Sequence, residues 1–178
     1  MSGMHRLAVP RGKAYALDCL GYLGIAAATL PVGIVLQQTG VGQHQWAVWG
    51  LSAVPPLLAA GVAARAESGP ARATWGKRRL RLVVDGSAGG TRDGATTEEA
   101  PSPSRALLRN LVKITIPWQV GHTVAIGAAY GGFEDGDPVT IVAGGLSYLI
   151  IGVLVGGVVL GQGRAVHDRL AGTRVEPA

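Results

Sequence analysis

Long apolar stretches alternate with short polar ones along this chain. Four stretches contain no Asp, Glu, Lys or Arg: 19–36, 37–64, 114–133 and 138–163. None places polar side chains at helical spacing, which a soluble helix bundle would need on its outer faces. A hydrocarbon core of ~30 Å takes about 20 apolar residues as helix. The pattern therefore predicts four membrane spans, near 15–36, 46–64, 111–131 and 139–161. Between the second and third lies a central loop, 65–110, and after the fourth a tail, 162–178. The expected fold class is an all-α membrane protein: one domain over 1–178, built as a four-transmembrane-helix bundle. Asp18 stands where the apolar core of a cleaved leader would begin, and three further apolar stretches follow, so a signal peptide is not expected.

The central loop has its own pattern. "RRLRLVVD" alternates basic and apolar residues at Arg79, Leu80, Arg81 and Leu82, which predicts a half-buried strand or hairpin. "DGSAGGTRDGATTEEAPSPS" is rich in Gly, Ser, Thr and Pro and predicts a flexible connection. "SPSRALLRNLVK" has a cap residue, Ser102, with Pro103 at the first turn, so a helix is expected there. Arg105 and Arg109 share one of its faces and Leu107, Leu108 and Leu111 another. This predicts an amphipathic helix lying on lipid headgroups.

Composition sharpens the membrane reading. Of 178 residues, 48% are hydrophobic and only 15% charged. All 16 basic residues fall outside the segments between spans one and two and between spans three and four. Lys and Arg concentrate in cytoplasmic loops, so a multi-pass protein of the cell (plasma) membrane with cytoplasmic N and C termini is expected. Trp46 and Trp49 then fall near the outer interface. The basic excess is used up as a topology signal, and no folded basic domain remains for nucleic acid. The expected partners are the lipid bilayer and either further copies of the chain or another membrane protein. In span four, Gly145, Gly152 and Gly156 recur at helical spacing and Gly157 and Gly161 repeat the step of four, which permits close helix approach within the bundle or between protomers.

Few residues carry candidate chemistry. Asp18 opens the first apolar run, and on a helix it shares a face with Arg11 about 10 Å away. An unpaired charge near hydrocarbon is costly, so Asp18 is expected to pair with Arg11, Arg109, Arg164 or Arg169. It then either clamps span one to the cytoplasmic segments or titrates in ion coupling, and both readings stay open. His122, near the middle of span three with Gln119 one turn away, is either a hydrogen-bonded core histidine or part of a polar path. In the tail, Arg164, His167, Asp168 and Arg169 form an ion-paired helix end closed by Gly172, or pieces of a proton relay. No second His or Cys at ligand spacing accompanies His167, so no metal is expected. The acids Glu134, Asp135 and Asp137 read as an exposed turn. No cofactor is implied, and no nucleophile with its base or phosphate-cradling loop indicates an enzyme.

These pieces together resemble the RDD family of small membrane proteins. "RGKAYALD" is similar to its first Arg/Asp motif, "ATWGKRRLRLVVD" to its glycine-lysine loop, "SRALLRNLVK" to its arginine-asparagine helix and "RAVHDRLAGTRV" to its closing histidine-aspartate pattern. The resemblance implies that Arg11, Asp18 and Asp168 are the eponymous trio and that Arg109, Asn110 and His167 are motif residues. It implies an integral membrane protein and leaves the activity open. Transport, including sodium/proton exchange, has been suggested for some members. The expectations are small-solute or ion transport, or a non-transporting scaffold or regulatory partner.

Overall fold

The computed structural model describes residues 5–87, 99–160 and 164–178. The expected flexible connection after Val84 lies largely outside these residues, as does the end of the fourth span. The described chain is mostly helical. Helix α1 (Ala8–Ala28) is followed after Thr29 by α2 (Leu30–Gln38). Pro31 interrupts the hydrogen-bond ladder there because it has no N–H to donate. Helices α3 (Gln45–Leu51) and α4 (Val54–Ser68) are divided in the same way before Pro55 and Pro56. A short α5 (Trp75–Arg79) and strand β1 (Leu82–Asp85) come next. Helix α6 (Pro103–Asn110) runs through a π-helical turn, Leu111–Thr115, into α7 (Ile116–Ala129). The chain finishes with α8 (Pro138–Val159), α9 (Val166–Leu170) and β2 (Arg174–Pro177).

Three helical segments are long and apolar enough to cross a membrane: Ala8–Gln38, Gln45–Ser68 and Pro138–Val159, of 31, 24 and 22 residues. The first and third have only 6% of their most apolar window buried inside the protein, as expected of surfaces that face lipid. The predicted third span is divided differently. Pro117 would set its ring against the carbonyl of Lys113 in a regular helix, and the wide turn at 111–115 accommodates it. The α-helix that follows has 14 residues.

Helix α1 begins seven residues before the expected start of span one and turns a narrow stripe inward: Ala8, Arg11, Ala14, Asp18 and Tyr22. These positions recur every three or four residues, so they share one face. Tyr22 packs with Ala59, Ala63 and Ile114, while Ala14 packs with Leu82 and Val175. Helices α7 and α8 meet where Gly127 lies against Thr140; a Cβ at 127 would overlap the Thr140 side chain. Asp137 caps α8, accepting hydrogen bonds from the Val139 and Thr140 amides.

Several expectations are corrected here. Among the described residues, the strand at Leu82 finds its partner outside its own loop. It pairs antiparallel with β2 in the tail, Val84 opposite Val175 and Asp85 opposite Arg174. The tail therefore continues past its helix end into a strand. Helix α6 turns its basic face inward, burying Arg109, and leaves Leu107 and Leu108 exposed. Its arginines are held by protein rather than turned toward headgroups. Gly145, Gly152 and Gly156 have open space over them, whereas Gly157 of the same series lies against Ala165, 3.2 Å from the place its Cβ would occupy.

Candidate functional site

The charged side chains that membrane helices cannot leave in hydrocarbon are gathered into one buried cluster. Arg11 comes from α1, Glu67 from the end of α4, Lys77 from α5, Arg109 and Asn110 from α6, and Asp168 from α9. Each is less than a tenth exposed. Arg109 lies at the centre. Its Nη1 donates to Glu67 Oε2 at 2.6 Å, and its Nε donates to Asp168 Oδ1 at 3.0 Å. Asp168 Oδ2 also accepts from Arg11 Nη2 at 2.5 Å and from the Ala165 amide at 3.0 Å. Glu67 further accepts from Lys77 Nζ at 2.6 Å and from Asn110 Nδ2 at 2.8 Å.

The local fold explains this convergence. Asp168 sits in the first turn of α9, where its carboxylate also caps the free amide of Ala165. Gly172, at φ +60, stops α9 after one and a half turns and sends the tail into β2. Arg105, one turn before Arg109, ties the same tail to the end of β1: Nε donates to the Ala171 carbonyl at 2.7 Å, Nη2 to the Gly172 carbonyl, and Nη1 to the Gly86 carbonyl at 2.8 Å. Burial alone would lower the pKa of Arg109, but Glu67 and Asp168 outweigh it and raise it. Burial alone would raise that of Asp168, but Arg109, His167 and Arg11 outweigh it and hold the carboxyl well below the usual range.

Asp18 does not take one of the expected arginines. Its carboxylate accepts from the Thr74 hydroxyl at 2.6 Å and from the Gly76 amide at 2.7 Å. Glycine is needed at 76 because α5 begins against the backbone of α1. A Cβ there would overlap the Ala14 carbonyl and lie 2.9 Å from Asp18. Arg164 and Arg169 stay at the tail: Arg164 Nε donates to the Thr173 carbonyl, and Arg169 Nε to the Arg164 carbonyl.

His167 is buried beside Asp168, its Nε2 3.6 Å from Oδ1. Burial lowers its pKa to about 3, against the opposing pull of Asp168, so the ring is neutral near pH 7. Gln119 and His122 lie apart from the cluster. Gln119 Nε2 donates to the Trp49 carbonyl and to Ser52 Oγ, both at 3.1 Å, and so ties α7 to the break between α3 and α4. His122 stacks on Trp118 with ring centroids 5.4 Å apart.

A cleft of about 310 Å³ opens beside the cluster. Arg11, Lys77, Arg109, Lys113 and His167 are its polar lining, and Leu154, Val155, Val158 and Val159 of α8 are part of its apolar lining. Lys113 faces it from the π-helical turn. Its ammonium lies 4.8 Å from the centroid of the Tyr15 ring, and it makes no ion pair or hydrogen bond among the described residues.

Glu67, Lys77 and Lys113 were not singled out as site residues from the sequence. Lys77 belongs to the glycine-lysine motif noted there. The signal for Glu67 was its position: like Asp18 and Asp168, it lies where an apolar run meets polar chain. No family model, curated protein or solved structure matches this chain.

Proposed function

We propose that the protein is a plasma-membrane protein of RDD type that crosses the bilayer four times, keeps both termini cytoplasmic, and binds a small anionic solute for transport. The cleft beside the charged cluster carries this reading. Its described lining includes four cationic side chains and no acidic one, and a concave, largely apolar site with a few convergent polar groups is the usual form of a ligand pocket. Such a lining favours an anion over sodium or a proton. Three long apolar helices and the segregation of Lys and Arg support the membrane placement. The helical run 111–129, entered from α6 on the cytoplasmic side, supplies the remaining crossing.

A second reading, a non-transporting scaffold, is favoured by the carboxylates. Asp18, Glu67 and Asp168 each hold at least two hydrogen bonds and join different elements, so the cluster also serves as a fastening. The open glycine positions on α8 would then face another copy or another membrane protein.

Two experiments test these readings. Reporter fusions after Gln43 and Asp137 should read outside and a fusion after Ala178 inside; a cytoplasmic signal at Gln43 overturns the topology. Purified protein in liposomes, followed by anion efflux, internal pH and cation flux, should release anions above the protein-free background. Silence in all three readouts would favour the scaffold.

A further inference from the structure

The cleft is amphipathic along its length. Lys113 lines it, nine-tenths buried and without a carboxylate partner among the described residues, although Glu67 and Asp168 lie close by. Those carboxylates are already engaged by Arg109, Lys77 and Arg11. The α8 residues that line it, Ile151, Leu154, Val155, Val158 and Val159, are all apolar. Helix α8 is one of the three candidate spans, and little of its apolar surface is buried within the protein. Gly12 of α1 also lines the cleft; it is exposed and has no heavy atom within 4 Å of the place a Cβ would occupy.

We infer that this cleft seats one anionic phospholipid, with its phosphodiester at Lys113 and an acyl chain along α8 over Gly12. A buried ammonium left without a counter-charge is costly, and an anionic headgroup supplies that charge without displacing a protein carboxylate. The apolar wall is continuous with a surface that faces acyl chains, so the tail need not leave hydrocarbon when the head enters the cleft. A free phosphate would satisfy Lys113 equally well but would leave the α8 wall unfilled.

This inference goes beyond the transport reading by giving the cleft to a lipid rather than to a small solute, and it rests only on the membrane placement. Binding is read in detergent, independently of the reporter fusions that read placement and of the liposome fluxes that read transport. The test is native mass spectrometry of the purified full chain titrated with phosphatidylglycerol or phosphatidylcholine, with inorganic phosphate compared in thermal melts. Phosphatidylglycerol should be retained about tenfold better than phosphatidylcholine. Lys113→Gln should remove most of that preference; no protein carboxylate loses an ion pair by it. Gly12→Leu should lower retention of phosphatidylglycerol by filling the cleft, while a better helix former at an exposed position leaves the fold intact. If Lys113→Gln fails to fold, Gly12→Leu decides alone. Equal retention of the two lipids, or retention unchanged in Gly12→Leu, would overturn the inference. So would inorganic phosphate raising the melting temperature as much as phosphatidylglycerol, which would mark a site for the free anion.

Discussion

Arg109 bridges Glu67 and Asp168, residues 42 and 59 positions away from it along the chain. One guanidinium thereby joins the end of α4 to the start of α9. Only a planar fork with donors on two edges reaches both carboxylates at once.

Replacing Arg109 with Gln should cost about 3–5 kcal/mol, because both carboxylates lose a buried counter-charge. Arg109→Lys should also be clearly destabilising although it keeps the charge, since an ammonium lacks the planar fork that spans the two acids. Unfolding of the purified protein in detergent measures both. Glu67→Gln combined with Arg109→Gln should cost less than the sum of the single changes, as residues in one network do. Strict additivity would mean that the bridge contributes nothing.

Asp18→Asn should reduce folded yield by size-exclusion chromatography, with a loss of about 1–3 kcal/mol. Asparagine keeps one acceptor, so either the Thr74 hydroxyl or the Gly76 amide is left facing an NH₂ group. Normal yield with lost anion flux would instead assign Asp18 to transport.

Gly76→Ala should destabilise by about 1–3 kcal/mol or more. The added methyl meets the Ala14 backbone carbonyl, which cannot swing away as a side chain would, so α5 must lift from α1 and withdraw its amide from Asp18. Faster proteolysis within 69–81 reports that separation. Wild-type resistance would show that α5 does not need its close approach.

Acid should loosen the tail before it reaches the ordinary carboxylate range. The His167 pKa falls from 6.5 to about 3 on folding, so the unfolded chain binds the extra proton. Stability from this group is complete above about pH 6.5 and is lost as pH falls toward 3, at up to ~1.4 kcal/mol per unit. Asp168, whose pKa is lowered, adds its own loss only below about pH 4. Melting temperatures across pH 7 to 4 should therefore decline in wild type and flatten in His167→Gln. An unchanged slope in that variant would exclude His167 as the group responsible.

The apolar runs made the long helices legible because hydrocarbon length is a one-dimensional constraint, readable without knowing any contact. Proline effects were harder to place. Pro31 and Pro117 break their helices by steric relations to carbonyls one turn back, and the outcome at Pro117 depends on whether the chain can widen into a π turn. The residues now found at the cluster were partly legible. Arg11, Asp18, Arg109, Asn110, His167 and Asp168 were picked out, and all are buried. Their pairing was not: Asp18 was expected to take an arginine and instead takes a hydroxyl and an amide. That choice depends on α5 approaching α1 closely enough for Gly76 to donate, a tertiary distance that no spacing encodes. The partner of β1 was equally hidden, because strand alternation shows which side is buried and not which distant segment covers it.

The antiparallel pairing of β1 with β2 has a consequence for biosynthesis. The segment that covers β1, and the carboxylate of Asp168 just before it, are translated after every apolar helix described here. During synthesis Arg11 is therefore made long before Asp168, and Arg109 can hold only Glu67 of its two acids until α9 emerges. A chain cut short before Ala165 would contain the described apolar helices and still lack the carboxylate that Arg11 and Arg109 share, which gives cellular quality control a chemical difference between a protein that has made this contact and one that has only formed its helices.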